Sequence, residues 1–260
     1  METRLTILIT LALLASGCAE NTTSATGKGL VINDFSISDN TLRPGQQANL
    51  QVTLQNYHER PTTINNISIF NEGELTVENK QCTSDDIREA REGLYPQLSC
   101  SWTVKAPGED FIQGFKSKKT PLKLRLNYST QFENQEPLKV NFKELSSIES
   151  SNSRSVSFGN GEISLKAESE SPAALSNPQP IRITVQNQGP GRVDGDYGFS
   201  YTPSETMREC PDSQSPVVDE TVEFSCPLET STQGTRNLFI TTSYKYIKSP
   251  NLDITMVNNQ

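Results

Sequence analysis

Three observations predict an all-β chain built as two tandem β-sandwiches. Short apolar runs alternate with polar residues at a period of two, the same series of runs recurs in the second half, and each copy carries its own pair of cysteines. Composition agrees, because only 33% of the 260 residues are hydrophobic. That is low for one large core, and it suits sheets that each keep one face wet.

The chain opens with Arg4 and an apolar stretch from Leu5 to Ala15, then Ser16 and Gly17 before Cys18. This is the pattern of a secretory signal, residues 1–17, and its apolar core of about 11–13 residues is too short to span a bilayer. Residues 18–29 are small and polar and are read as a flexible tether. The first sandwich is expected over residues 30–145. Ile32, Phe35 and Ile37 alternate imperfectly, Pro44-Gly45 turns the chain, and Leu50, Val52 and Leu54 alternate with Gln51, Thr53 and Gln55 up to Asn56. Ile64, Ile67 and Ile69 mark a strand whose phase breaks at Asn65-Asn66. In 83–93, Thr83 or Ser84 followed by acidic residues and closed by Gly93 predicts a short helix. Strand faces follow at Leu98, Cys100, Trp102 and Val104, at Leu122, Leu124, Leu126 and Tyr128, and at Leu138, Val140 and Phe142. Residues 146–156 are serine-rich and are read as a linker.

The second sandwich, 157–260, repeats the first. Leu50–Asn56 matches Ile181–Asn187 at an offset of 131, Cys82 matches Cys210 at 128, and Cys100 matches Cys226 at 126. Leu122–Tyr128 matches Leu238–Tyr244 at 116, and Leu138–Phe142 matches Leu252–Met256 at 114. A cysteine pair in each copy selects the disulfides Cys82–Cys100 and Cys210–Cys226 from the three pairings that four cysteines allow. Zinc is disfavoured, because no C-x-x-C occurs and His58 is the only histidine. Short alternating strands in copies of this size are the signature of immunoglobulin-like β-sandwiches.

Two resemblances add to this. Leu14-Ala15-Ser16-Gly17-Cys18 resembles a prokaryotic lipobox, which implies acylation of Cys18 and anchoring to the membrane by that lipid; here Ala15 stands where leucine is usual. Pro44-Gly45 through Gln55-Asn56, and Pro178 through Gln186-Asn187-Gln188-Gly189, resemble the opening strand of exported prokaryotic modules of the CARDB or NEW3 type. The first copy departs from that pattern, with Tyr57-His58-Glu59 in place of glycine. The resemblance implies stalk, adhesion or assembly roles and brings no catalytic residues.

Chemistry is sparse. His58 is read as a solvated turn residue, Asp194-Gly195-Asp196 as a hairpin rather than a calcium loop, and Tyr244 and Tyr246 as core. No cofactor or metal is expected. Net charge is −8, with 13 Lys+Arg against 15 Asp+Glu in 29–146 and 7 against 13 in 157–260. That balance argues against nucleic acid. The one basic cluster, Lys116, Lys118, Lys119, Lys123 and Arg125, and, in the second sandwich, Arg192, Asp194 and Asp196 with the connections 189–195 and 202–217 are candidate partner contacts, the second sandwich being expected to stand outermost because the tether is at the amino end. Asn21, Asn66 and Asn127 head glycosylation sequons. The expected function is that of a non-enzymatic, lipid-anchored protein on the outer face of the membrane, presenting tandem modules to a protein or glycan partner. The alternative is an accessory or scaffold subunit of an envelope secretion, pilus or transport assembly.

Overall fold

A computed structural model describes residues 29–82, 86–109, 116–204, 210 and 221–258. The chain is all-β, with 18 strands and no α-helix among the described residues. One four-stranded sheet runs β1 (Leu30–Ile37), β3 (Gln47–Asn56), β7 (Gln97–Lys105), β5 (Thr76–Gln81). A second runs β10 (Asn152–Gly159), β11 (Ile163–Ser171), β13 (Gln179–Asn187), β16 (Thr221–Leu228). The alternation read in the sequence is the alternation of burial: Leu50, Val52 and Leu54 are all 0% exposed, as are Ile181 and Ile183. Each such side chain contributes about 1.5–3 kcal/mol when fully buried.

The third sheet has ten strands and belongs to both halves. Its spine is β8 (Ser117–Glu133) beside β17 (Gly234–Lys248), paired antiparallel from Leu126↔Lys248 to Glu133↔Thr241. On β8 lie β4 (Thr62–Asn71), with β6 (Asp86–Ile87) beyond it, and β18 (Asn251–Val257). On β17 lie β9 (Leu138–Lys143), β15 (Gly198–Thr202) and β14 (Arg192–Val193).

The strands that end the two copies have changed places. In a simple tandem pair β9 would fold back on β8, and β18 on β17. Instead β18 continues along β8 in the register that β17 began, Lys123↔Asn251 following Leu126↔Lys248. In the same way β9 runs on along β17, with Leu138 opposite Leu238. Each copy therefore finishes in the other's part of the sheet. The exchange is symmetric in detail: β2 (Thr41–Leu42) pairs parallel with β18, and β12 (Ala173–Ala174) pairs parallel with β9. The pair Ser129↔Lys245 sits at the midpoint, residues related by the same offset of 116 that relates Tyr128 to Tyr244.

This pairing crosses the division expected at 146–156. Residues Leu145–Ser147 form a 3-10 turn, but 152–156 already belong to β10 and pair with β11. The helix expected over 83–93 is also corrected. Residues 83–85 lie outside the described ones, Asp86–Ile87 form β6 against Thr62–Thr63 of β4, and Arg91 and Leu94 make an isolated bridge. The sheet edge won because Ile87 is buried to 5% exposure there, which a solvated helical turn would forgo. Both disulfides are as the repeat requires, Cys82–Cys100 and Cys210–Cys226, each with Cα atoms 4.6 Å apart. They suit an oxidising, exported environment. No helix among the described residues is long and apolar enough to cross a membrane.

Candidate functional site

The junction of the two halves is organised around one carboxylate, Glu162, whose side chain is 1% exposed. It stands just before β11, in a turn held by Asn160: Glu162 N and Ile163 N donate to Asn160 Oδ1 at 3.2 and 3.1 Å. The opposite position in the first copy is Gly29, immediately before β1, and a Cβ there would collide with the Glu162 side chain. Glycine at 29 thus makes the space that Glu162 fills.

Five donors converge on the carboxylate. Oε1 accepts from Leu30 N at 3.0 Å, from Lys248 Nζ at 2.7 Å and from the Tyr128 hydroxyl. Oε2 accepts from the Tyr244 hydroxyl at 3.0 Å and faces His58 Nε2 at 3.5 Å. The last is longer than a well-formed hydrogen bond, so the imidazole edge approaches Glu162 without closing on it. Asn160 Nδ2 lies 3.3 Å from His58 Nδ1 and donates to the Tyr244 hydroxyl at 2.6 Å. An amide nitrogen has only hydrogens to give, so Nδ1 accepts and Nε2 carries the proton that points at Glu162. Lys248 also donates to the Leu30 carbonyl and lies over the Tyr128 and Tyr246 rings at 5.8 and 5.7 Å.

Burial alone would push the Glu162 carboxyl up. The His58 contact and the Lys248 charge outweigh it and hold the group at about 2. The Tyr128 and Tyr244 phenols are pushed well above the ordinary tyrosine range, first by burial and then by the Glu162 charge, and so remain donors. Leu30 and Lys248 are 218 residues apart, and both meet a residue between them. The cluster ties the two halves at their centre, and its buried carboxylate offers no face to a ligand.

Beside it opens a cleft of about 560 Å³ whose walls come from both halves: 57–60, 131–136, 155–160 and Phe239. His58 and Asn160 form its inner end, linking it to the Glu162 cluster. Arg60 Nη2 pairs with Glu133 Oε2 at 3.0 Å, and Gln135 Nε2 donates to Glu59 Oε1 at 3.0 Å. Phe132 meets Phe158 edge-on, with ring centroids 5.5 Å apart.

His58 is therefore not the solvated turn residue expected from the sequence; it is 2% exposed. Asn56 Oδ1 accepts from His58 N and turns the residue inward, and the second half closes over it. Asn187 makes the same turn in the second copy, where Gly189 N donates to its Oδ1 at 3.2 Å. Tyr244 and Tyr246 are core residues, as expected, and also spend their hydroxyls, Tyr246 on Asn187 Oδ1 at 2.8 Å.

The other candidates lie elsewhere. Lys118 pairs with Glu74 at 2.6 Å, Lys116 and Lys119 are exposed, and Arg125 covers the Phe70 ring at 4.5 Å. Arg192 is exposed on β14, Asp196 is exposed, and Asp194 Oδ2 accepts from Asn127 Nδ2 at 3.2 Å. Asn66 is exposed on β4. Cys18 and Asn21, with most of the segment from Thr202 to Val217, lie outside the described residues. Among the described residues no group of three or more acidic, histidine or cysteine side chains is placed to hold a metal ion.

No family model and no curated protein matches the chain. Among solved structures, it is similar to a secreted serine protease, VesC, from Vibrio cholerae at 10% identity and TM-score 0.27, with 88% of this chain and 52% of that one covered. It is also similar to the collagen adhesin CNA from S. aureus at 8% identity and TM-score 0.17, covering 90% of this chain and 94% of that one. The chain thus spans about half the length of the first. The expectation that this chain is not an enzyme is corrected to this extent: a protease is among these structures, and the expectation is not carried further. At TM-scores this low, neither likeness carries an argument about its activity.

Proposed function

We propose that this chain is an exported binding protein, held at the outer face of the membrane by a lipid on Cys18, whose two immunoglobulin-like modules present the cleft between them to a protein or glycan partner. The reading is supported above all by the joint of the two halves. Eight cross-strand pairs of β8 on β17, the exchange of β9 and β18 and the Glu162 cluster hold both cleft walls in one body. A site preorganised in this way loses less entropy on binding than one between freely hinged modules. The tether also fits. Gly29 and Leu30 enter at the junction, with Leu30 N on Glu162, so residues 19–29 would hold the cleft within about 40 Å of an acylated Cys18. That entry point replaces the expectation that the second module stands outermost.

The assembly reading draws on a different observation. Among the described residues the four-stranded sheets end on β1, β5, β10 and β16, edges to which a partner strand could add. Pulldown from isolated membranes with the intact chain separates the two readings. Extracellular or surface ligands support the binding role, and envelope machinery supports the scaffold role.

A further inference from the structure

We propose that the cleft is a carbohydrate site for neutral oligosaccharides. This rests on the binding role above and names the ligand class of the same site.

The first observation is where the two copies differ. After its strand-ending Asn187 the second copy runs Gln188-Gly189-Pro190-Gly191, and the glycines are required: a Cβ at either would strike Tyr246. The first copy runs Tyr57-His58-Glu59-Arg60 after Asn56. Large side chains fit because the position matching Tyr246 at the offset of 116 is Thr130. The exchange point differs too. β17 passes to β18 through Ser249-Pro250 alone, whereas β8 passes to β9 through Asn134-Gln135-Glu136-Pro137. Both departures put hydrogen-bonding side chains in one place, the cleft. The repeat shows that this fold closes with glycine and a two-residue joint; His58 and Asn134 are taken up in the junction, but Glu59, Arg60, Gln135 and Glu136 are not required for closure.

The second observation is the chemistry of those groups. Arg60 with Glu133, and Gln135 with Glu59, are planar donor–acceptor pairs that bridge the 57–60 turn and the end of β8. Planar carboxylate, amide and guanidinium groups bond adjacent sugar hydroxyls two at a time. Ser155 and Ser157 add hydroxyls from β10, and the half-buried Phe158, braced edge-on by the buried Phe132, offers an apolar surface for the C–H face of a sugar ring. Charge selects within the class. Glu59, Glu133 and Glu136 stand against Arg60, a net of −2 that repels sulfate, phosphate and uronate. The volume, about 560 Å³, is that of a small-molecule site rather than a protein-docking face.

The test uses the intact mature chain. Neutral hexose and N-acetylhexosamine oligosaccharides, their sulfated and uronate-bearing counterparts, and extended peptides are titrated by calorimetry and ligand-observed NMR. Neutral oligosaccharides are expected to bind. Glu133→Gln and Gln135→Ala should each weaken them about tenfold or more, and Ser157→Trp, which adds bulk from an exposed strand position, should abolish binding with an unchanged unfolding midpoint. Tighter binding of acidic sugars or of peptides, or affinities unmoved by the three variants, overturns the assignment. No sugar bound while the native chain captures a membrane protein that Ser157→Trp does not capture overturns the carbohydrate class alone. Neither sugar nor partner bound by the native chain overturns the binding role as well.

Discussion

Replacing Glu162 by Gln should remove the main tie between the halves. The substitution keeps the shape of the side chain and deletes its charge, leaving the Lys248 ammonium buried with no counter-charge, beside the Leu30 carbonyl, two aromatic faces and a neutral amide. Breaking a buried ion pair from one side costs about 3–5 kcal/mol. The carboxyl's own titration gives a consistent figure. Its ordinary value of 4.5 is lowered to about 2 in the folded chain, and a shift of that size corresponds to about 3 kcal/mol at neutral pH. Because the folded value is the lower one, this stability is fully present above pH 4.5 and is lost as pH falls through that value toward 2. Between pH 6 and pH 3 the native chain should therefore lose about 2 kcal/mol that Glu162→Gln does not lose. Urea unfolding of both chains at the two pH values reads this directly. A stability gap below about 1 kcal/mol at pH 6, or one that stays constant down to pH 3, would refute the reasoning.

Other consequences are simpler to read. Residues 29–144 and 150–260 made separately should each lack a cooperative unfolding transition, because each is missing the strand that finishes its sheet, and mixing them should restore one, seen by circular dichroism and size exclusion. Gly29→Ala forces a side chain at φ +70° into the space of Glu162 and should lower stability by about 2 kcal/mol or more, measured as a shift in denaturation midpoint. Cys18→Ser should move the protein out of the membrane fraction and change its mobility; an unchanged fraction and mobility would remove the lipid anchor from the account.

The sequence shows the strands well because burial on one face imposes a period of two. Even its faults are legible. The imperfect alternation of Ile32, Phe35 and Ile37 is a register shift between Ile32 and Asp34, and the phase break at Asn65-Asn66 is another between Ile64 and Asn66. The exchange of β9 and β18 leaves no trace, since Leu138, Val140 and Phe142 alternate identically whichever strand they pair with. The site was hidden for a related reason. Glu162 reads as one more acidic residue near a Gly-rich turn, and its partners at 30, 58, 128, 244 and 248 come together only through the exchanged sheet. One signal was available: where the second copy has glycine after its Gln-Asn, the first has Tyr57-His58-Glu59, and a repeat that spends large polar residues at a glycine position is building something there.

The exchange of strands is the central claim, and a designed cross-link tests it most directly. Lys139 on β9 and Asn237 on β17 are exposed cross-strand partners in the structure. With both changed to cysteine, non-reducing peptide mapping of the monomer should find residues 139 and 237 joined, beside the native Cys82–Cys100 and Cys210–Cys226 pairs. If β9 instead folded back on β8, Lys139 would face its own copy and the 139–237 link would be missing. Its absence, or its presence only in a dimeric fraction, would contradict the account.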